Sequence, residues 1–263
     1  NPSEIKLRAG SSPAPGTNFM NHFIFFHGVG IRSPFWNTIT PLLEQESIEY
    51  SLVDLDFSTL DNAFQSSTDA VKKLMNQYPD RDIVLVGHSL GGLFAAYVAQ
   101  HYGEAIHKLI IVNTGLAPVH VSVKTMQQMQ INFLSKFFKK IGMRLLFRGQ
   151  LPKWLTGSLF FTEHTSKEVK IELSKNKIRE KRSFLMEHFN SKKIWNKHFK
   201  RIHFSGPDNV LTIFGNKDKT TPIRAFMNLK NIFNASHIIY DDCGHNDVIT
   251  AEKFNKKFVK DIK

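Results

Sequence analysis

The chain has 263 residues, 41% of them hydrophobic and 22% charged. This length and apolar content exclude a mini-protein and a disordered chain, and they predict one substantial core, as one domain or one domain with an insert. The formal net charge is +12, and 31 residues are aromatic (23 Phe, 5 Tyr and 3 Trp). Such a basic balance leaves nucleic acid, a membrane surface and an acidic protein open as partners.

Short apolar runs alternate with helical patterns along the chain. The predicted strands are residues 5–9, 22–26, 50–53, 83–86, 109–112, 210–214 and 237–240. The predicted helices are residues 33–45, 61–78, 93–101, 126–140, 167–189, 222–233 and 247–259. Uninterrupted apolar strands that alternate with helices indicate a parallel sheet covered on both faces. We therefore expect an α/β fold with a mostly parallel, doubly wound sheet.

The excess of positive charge lies in one central segment. Residues 118–205 contain 19 of the 35 Lys and Arg and 5 of the 23 Asp and Glu, a net charge of +14. The rest of the chain, with 16 basic and 18 acidic residues, has a net charge of −2. A charged block inside a balanced chain indicates an insertion with its own surface. We predict a core formed by residues 1–117 and 206–263, with residues 118–205 inserted as a basic, mainly helical cap.

Cysteine content and hydropathy bear on the compartment. Cys243 is the single cysteine, which excludes an internal disulfide and a zinc site built from several cysteines. The longest apolar runs, such as residues 23–26 and 109–112, are far shorter than the roughly 20 residues that span a bilayer. The first residues also lack the long apolar core of a secretory signal. We therefore expect a cytoplasmic protein without a membrane-spanning helix.

Residues 87–91, Gly-His-Ser-Leu-Gly, lie between the fourth predicted strand and the helix after it. Gly-x-Ser-x-Gly in this context is typical of a nucleophile elbow. Ser89 must then occupy a turn so tight that its backbone is strained, and Gly87 and Gly91 leave room for neighbouring chain. The amide of Leu90, at the start of the helix, can favour a developing oxyanion. The alternative is a glycine-rich turn with a capping serine.

With this pentapeptide, the chain resembles the α/β-hydrolase superfamily, in its serine-nucleophile, esterase/lipase-like branch. The resemblance extends from about His22 to the C-terminus, and the predicted insert lies where that family carries its variable cap. It implies a His-Gly loop after an early strand, which His27 and Gly28 occupy here. It also implies that the backbone amide of Val29 is the second oxyanion donor. His27 is then a scaffold residue, and we interpret His88 as a pocket or scaffold residue.

The same resemblance implies an acid after a late strand and a histidine after the last one. Asp218 follows the strand at 210–214, although Asn-Lys-Asp-Lys is also typical of an ordinary surface turn. His245 follows the strand at 237–240, and it alone of 12 histidines stands at this point of the Ser, Asp, His order. In these roles His245 deprotonates Ser89, while Asp218 holds the histidine tautomer and stabilises the imidazolium.

Three further aspartates and the cysteine lie close to His245 in sequence. Asp247 has the position of an N-terminal helix residue, and Asp241 and Asp242 end a strand, so all three are weaker candidates for the acid. Cys243 is a potential nucleophile, but no second set of histidines surrounds it. We expect Cys243 to be a small packed side chain.

The predicted insert is rich in aromatic residues as well as basic ones. Most of these aromatics are expected to form the core of the cap, with some apolar surface facing Ser89 as a dry pocket for an acyl chain or other apolar ester. Nucleic acid is disfavoured because no recognised binding fold or aromatic platform is evident. Solvated helix faces, an anionic membrane surface and an acidic acyl carrier protein remain open explanations of the charge. The layout is similar to that of the esterases of biotin synthesis, in which the cap receives a pimeloyl carrier protein and the serine cleaves a methyl ester.

The sequence therefore predicts a serine carboxylic-ester hydrolase that needs neither a cofactor nor a metal. Thioesterase, lipase-like and lyase activities remain open within the same class, because they use the same three residues. A non-catalytic binding protein on the same fold is the alternative from another class.

Overall fold

The computed structural model describes residues 8–9, 21–28, 33–56, 58–114, 162–175, 209–221, 223, 226–227 and 233–263. The predicted helix at 126–140 lies outside these residues, as do most of the helix predicted at 222–233 and the part beyond residue 175 of the one predicted at 167–189. The ends of the insert lie outside them too, so the division into core and cap stays a prediction.

Within the described residues, seven strands form one sheet. Their bounds are β1 (Arg8–Ala9), β2 (Asn21–Phe26), β3 (Glu49–Val53), β4 (Asp82–His88), β5 (Lys108–Val112), β6 (Val210–Gly215) and β7 (Ser236–Tyr240). Their order across the sheet is β1-β3-β2-β4-β5-β6-β7. Strand β1 is antiparallel to β3, and every other neighbouring pair is parallel. The predicted α/β class and mostly parallel sheet are confirmed.

The helices whose bounds the structure defines are α1 (Thr40–Gln45), α2 (Leu60–Gln77), α3 (Leu90–Tyr102), α4 (Lys167–Lys175), α5 (Asp247–Thr250) and α6 (Glu252–Ile262). Helix α2 begins at the cap residue Thr59, whose side chain accepts a hydrogen bond from the Asn62 amide. Helix α3 begins directly after Ser89. None of the helices in the described ranges combines the length and hydropathy of a membrane-spanning segment.

Two helices predicted as continuous are interrupted. The pattern at 33–45 forms a 3₁₀ helix at Ser33–Thr38 and then α1, because Pro41 lacks an N–H and is tolerated only in the first turn of an α-helix. The pattern at 247–259 is broken at Ala251, whose backbone is extended (φ −98°, ψ 128°). Just before the break, the Thr250 hydroxyl donates to the Asn246 carbonyl oxygen at 3.0 Å, and such a bond tends to bend a helix.

The strands at the centre of the sheet are buried because their side chains alternate between two hydrophobic clusters. In β2, Ile24 and Phe26 pack in a cluster with residues of α2 and α3. Phe23 and Phe25 point to the other face and pack with residues of the 3₁₀ helix and of α6. Strand β2 is thus apolar at successive positions because both faces of the sheet are covered, as predicted.

The parallel strands bring four loops to one edge of the sheet. Strands β4, β5, β6 and β7 are consecutive neighbours and run in the same direction, so their carboxyl ends meet. Ser89, Asn113, Asp218 and His245 follow these four strands in that order. Open α/β sheets bind ligands at this edge.

Candidate active site

Ser89 occupies the sharp turn between β4 and α3. Its backbone has φ 54° and ψ −125°, a conformation that residues other than glycine rarely adopt. The turn is held from β5, because the Ser89 amide donates to the Val112 carbonyl oxygen at 2.9 Å. The Thr114 hydroxyl donates to the Ser89 carbonyl oxygen at 2.8 Å. The strained turn expected from the pentapeptide is therefore present.

Close backbone approach explains the glycines around Ser89. A Cβ at Gly87 would lie 2.5 Å from the Gly91 carbonyl oxygen, and one at Gly91 would collide with the Phe26 carbonyl oxygen. A Cβ at Gly28 would lie 2.9 Å from the Ser89 Cβ and 3.4 Å from its Oγ. The His-Gly loop after β2 therefore passes directly beside the Ser89 turn.

Asp218 and His245 are hydrogen-bonded to each other. The distance from His245 Nδ1 to Asp218 Oδ2 is 2.7 Å, and the two side chains are 2% and 0% exposed. The Thr220 and Thr221 amides donate to Asp218 Oδ1 at 2.7 and 2.9 Å. Because a carboxylate only accepts hydrogen bonds, this contact assigns the proton to His245 Nδ1 and leaves Nε2 as the basic nitrogen of the ring.

His88 supports the backbone of the histidine loop. Its Nε2 lies 2.8 Å from the His245 carbonyl oxygen, and its ring packs against Phe35 and Trp36. Burial, followed by the neighbouring His245, holds the pKa of His88 well below its usual range. A neutral ring that donates from Nε2 leaves Nδ1 as a buried acceptor, and no group among the described residues forms a hydrogen bond with this atom.

Asn113 contacts the same carbonyl oxygen and was not identified from the sequence. Its Nδ2 donates to the carbonyl oxygens of His245 at 2.6 Å and Gly244 at 3.2 Å, and its Oδ1 accepts from the Gly215 amide at 2.8 Å. Asn113 is fully buried and has a φ of 45°. The signal that could have revealed it is a polar Asn-Thr pair directly after the apolar strand at 109–112, at the edge where the other loops meet.

Of the two predicted oxyanion donors, Leu90 lies within the described residues and Val29 does not. The Leu90 amide opens α3, and the first N–H groups of a helix have no acceptor within it. Val29 lies outside the described residues, so its role stays a prediction. His27 Nδ1 lies 2.9 Å from the Gly28 carbonyl oxygen, and His27 Nε2 lies 3.4 Å from the Leu55 amide nitrogen. These contacts fit a ring that donates from Nδ1 and braces the turn.

Asp247 joins the histidine loop to the predicted insert. Its buried carboxylate accepts at Oδ2 from the Gly244 amide at 2.9 Å and from the amide and hydroxyl of Thr162. Its Oδ1 accepts from the Thr165 hydroxyl at 2.6 Å. Asp247 is also the first residue of α5, as predicted.

Asp241 and Asp242, the other aspartates near His245, form hydrogen bonds with polar side chains near the surface. Asp241 accepts from the Asn216 side chain, and Asp242 Oδ2 lies 2.7 Å from His164 Nε2. Hydrogen bonding from His164 lowers the pKa of Asp242. Glu163, His164 and Asp242 place one potential metal-ligand atom each within 4.8 Å of one another. The ammonium of Lys253, 3.6 Å from Asp242 Oδ2, opposes a cation there.

Cys243 is a buried side chain in the loop before His245. Burial raises the pKa of its thiol far above the usual range, with the charges of Asp247 and Asp218 as smaller contributions in the same direction. Because the thiolate is the reactive form, this environment makes the side chain inert. The packed position expected from the sequence is confirmed by its complete burial.

The sheet, the strained serine turn and the Asp218–His245 pair at its carboxyl edge define a doubly wound α/β protein with a Gly-x-Ser-x-Gly turn between a strand and a helix. The profile of the family described as alpha/beta hydrolase fold matches residues 21–252, and the chain belongs to this family. The fold and the family resemblance expected from the sequence are therefore confirmed.

Individual relatives match at lower coverage. Norfluorocurarine synthase 1 from Strychnos nux-vomica is 30% identical over 99 residues, which cover 35% of this chain and 37% of that protein. Polyneuridine aldehyde esterase from Rauvolfia serpentina is 26% identical over 100 residues, or 35% of this chain and 38% of that protein. The chain thus matches little more than a third of the length of these relatives.

A solved structure shows the same fold over nearly the whole chain. It is a lipase-esterase related protein from Clostridium acetobutylicum ATCC 824, with a TM-score of 0.69. The alignment covers 98% of this chain and 99% of that chain at 17% sequence identity.

Proposed function

We propose that this protein is a serine hydrolase of carboxylic esters, with Ser89 as nucleophile, His245 as general base and Asp218 as its acidic partner. The observation that carries the proposal is the 2.7 Å hydrogen bond between His245 and Asp218 at the edge where Ser89 occupies its strained turn. An incidental surface pair would be solvated, whereas both of these side chains are buried.

The proposed reaction proceeds through an acyl-enzyme. His245 Nε2 takes the proton of Ser89 Oγ as this oxygen attacks the ester carbonyl carbon, and the proton then passes to the departing alkoxide. A water molecule, deprotonated by His245, attacks the acyl carbon, and the carboxylic acid leaves as Ser89 recovers its proton. The amides of Leu90 and Val29 donate to the oxyanion of both tetrahedral intermediates.

The relatives are consistent with this chemistry. The names of polyneuridine aldehyde esterase and of the Clostridium lipase-esterase related protein describe ester-cleaving proteins with which this chain shares sequence or fold. Family membership favours hydrolase chemistry in general, and the buried Asp218–His245 contact favours the serine mechanism in particular.

Removal of the proposed nucleophile tests the proposal. We expect Ser89→Ala to abolish turnover of a short-chain p-nitrophenyl ester and labelling by a fluorophosphonate probe, with an unchanged circular dichroism spectrum. Ser67→Ala, which truncates a serine buried in α2, is the matched control and should retain both ester turnover and probe labelling. Turnover or labelling retained by Ser89→Ala would contradict the proposal. A folded wild-type protein that no probe labels would favour the non-catalytic binding protein.

The acidic partner has a separate test. We expect Asp218→Asn to lower kcat/KM for the same ester by roughly 10³- to 10⁴-fold, because an amide no longer selects the Nδ1–H tautomer of His245. Asp241→Asn, which changes an exposed aspartate bonded to Asn216, is the control and should retain wild-type turnover. Equal activity of the two variants would contradict the assignment.

For the natural substrate, we propose an apolar acyl ester presented by an acidic acyl carrier protein. The net charge of +14 in residues 118–205 supports it, because such a surface steers an acidic partner by long-range attraction. Charge reversal at Lys136, Lys139, Lys140 and Arg144 should raise KM for the carrier-bound ester and leave KM for a small ester unchanged. Equal effects on both would contradict docking. Faster turnover of an acyl thioester or of anionic lipid vesicles would favour the thioesterase or the lipase-like alternative.

A further inference from the structure

Asn113 connects three of the four loops at the proposed active edge. It follows β5, the strand between the serine strand β4 and the acid strand β6. Its side chain donates to the carbonyl oxygens of Gly244 and His245 and accepts from the Gly215 amide, just before the acid loop. Its own carbonyl oxygen accepts from the Thr221 hydroxyl at 2.9 Å.

Only a carboxamide of this length satisfies these contacts. The site offers two carbonyl oxygens and one amide N–H, and an asparagine side chain presents two N–H donors and one acceptor. An aspartate would present no donor in its ionised form, and an alanine would leave the three backbone groups without this partner. The φ of 45° also favours asparagine, which tolerates the left-handed region better than most residues.

The hydrogen-bond partners of Asn113 lie in the loops that carry Asp218 and His245, whose side chains are hydrogen-bonded to each other. Gly215 precedes Asp218 by three residues, and Thr221, which binds the Asn113 carbonyl oxygen, donates its own amide to Asp218 Oδ1. His245 is held through its carbonyl oxygen, while its ring reaches Asp218. The Asn113 side chain is therefore one of the groups that hold the acid loop and the histidine loop in place, alongside the His88 ring at the His245 carbonyl oxygen and the Lys217 amide at the Cys243 carbonyl oxygen.

We infer that Asn113 is a positioning residue, which aligns the Asp218 carboxylate with His245 Nδ1 by fixing the backbones of both loops. The inference rests on the proposed function, because it assigns Asn113 a part in that reaction. It does not make Asn113 a catalytic residue, since its side chain contacts backbone groups of the two loops and not the reacting atoms.

The pairing of β5 with β6 argues against a purely structural role. These strands are joined in parallel register from Leu109 to Val112, and the Asn113 amide itself continues this ladder to the Ile213 carbonyl oxygen. The side chain is thus not needed for strand pairing. Its contacts act beyond the ends of the strands, where they add to the hydrogen bond from the Lys217 amide to the Cys243 carbonyl oxygen and fix the backbone of His245 itself. A displacement of about 1 Å between catalytic groups costs on the order of 10²-fold in rate.

The test compares Asn113→Ala and the isosteric Asn113→Asp with Asn255→Ala and Asn255→Asp. Asn255 is also a buried asparagine, but it lies on α6, and within the part of the chain that the structure describes its Oδ1 has no hydrogen-bond partner. The Asn113 variants should lower kcat for a p-nitrophenyl ester by on the order of 10²-fold with little change in KM. The Asn255 variants should retain wild-type kcat. A change in KM with kcat unchanged in the Asn113 variants would overturn the inference. An equal fall in kcat in the Asn113 and Asn255 variants would overturn it too.

The pH profile of Asn113→Asp gives a readout that a general packing defect would not move. A carboxyl group that faces two carbonyl oxygens has a raised pKa, and its neutral form can donate to one of them. The ratio of variant to wild-type kcat should therefore rise as pH falls through that pKa. Titratable groups on or beside the contacted loops include His88, Lys217, Asp218, Cys243, His245 and the buried Asp247, and because the wild type has them too, taking the ratio reduces their contributions. A ratio independent of pH, with kcat at the wild-type level, would overturn the inference.

Proton NMR separates this inference from the proposed function. The His245 Nδ1 proton should give a strongly downfield signal in the wild type, which is lost or shifted upfield in the Asn113 variants and kept in the Asn255 variants. This measurement needs no turnover, so it decides the positioning role even if wild-type protein cleaves no ester. An unchanged signal in folded Asn113→Asp and Asn113→Ala would contradict the role of Asn113 whatever the activity.

Discussion

The carboxylate of Asp247 accepts hydrogen bonds from both the backbone amide and the hydroxyl of Thr162, a residue 85 positions earlier in the chain. This contact joins the predicted insert to the loop that carries His245. The same carboxylate holds the Gly244 amide and the Thr165 hydroxyl. Thr162 and Thr165, which belong to the predicted insert, therefore lie directly against the histidine loop.

Loss of the Asp247 carboxylate should destabilise the protein. Asp247→Ala removes the acceptor of the buried Gly244 amide, of the Thr165 hydroxyl and of the half-buried Thr162, and a buried donor left unsatisfied costs about 1–3 kcal/mol. We expect the free energy of unfolding in urea to fall by roughly 3–5 kcal/mol. Asp241→Ala, which removes an exposed aspartate from the neighbouring turn, should change it by less than about 0.5 kcal/mol. Similar values for the two variants would show that the Asp247 contacts are not stabilising.

The strained turn at Ser89 should make glycine the more stable replacement. Ser89→Ala keeps a Cβ at φ 54° and ψ −125°, whereas Ser89→Gly relieves strain of about 1–3 kcal/mol at some cost in unfolded-chain entropy. We expect the glycine variant to unfold with a free energy about 1 kcal/mol higher than the alanine variant. The same pair at Ser67, inside helix α2, should show the opposite order, since glycine is the poorer helix former. The same order at both positions would contradict strain at Ser89.

Burial of His22 should make stability depend on pH. The ring is 2% exposed and stacks on Tyr78, and burial lowers its pKa from 6.5 to about 4 against the opposing charge of Glu49. Between these values the unfolded chain binds a proton that the folded chain does not. The contribution of the neutral His22 ring to the free energy of unfolding is therefore complete above pH 6.5. It is lost as pH falls towards 4, by about 3 kcal/mol in total.

Unfolding curves at several pH values test this dependence. His22→Phe retains an aromatic ring and removes the titration, so its stability should decline less steeply than that of wild type between pH 6.5 and 4.5. His107→Phe, which replaces an exposed histidine, is the control and should run parallel to wild type. Parallel profiles for wild type and His22→Phe would contradict the effect.

Cys243 should be unreactive while the protein is folded. Its side chain is completely buried and its thiol pKa is raised by burial, so neither access nor the thiolate form is available to an alkylating reagent. We expect iodoacetamide at pH 8 to modify the protein only as urea unfolds it. An exposed thiol introduced as Ser166→Cys in a Cys243→Ser background is the positive control. Rapid modification of native Cys243 would contradict the assignment.

Local sequence carries most of the information on the sheet and on the serine turn. The predicted central strands are present because a strand buried on both faces is apolar at nearly every position, and this signal needs no knowledge of neighbours. At the edges of the sheet, β7 is largely exposed, and only residues 8–9 of the strand predicted at 5–9 are described. The Ser89 turn is equally local, since Gly87 and Gly91 are dictated by contacts within a few residues or with the adjacent strand. The broken helices show the limit of periodicity, because the extended backbone at Ala251 follows from side-chain bonds that an apolar pattern does not record.

The sequence by itself determined the α/β class, the strained serine turn and the chain order of Ser89, Asp218 and His245. Only the tertiary structure decided which groups hold these residues together. The contacts of Asn113 with the Gly215 and His245 loops, and of Asp247 with Thr162, join positions between 85 and 132 residues apart. Such contacts depend on the direction of buried donors and acceptors in three dimensions. They leave no periodic trace in the chain, because any polar residue at those positions looks like an ordinary loop residue.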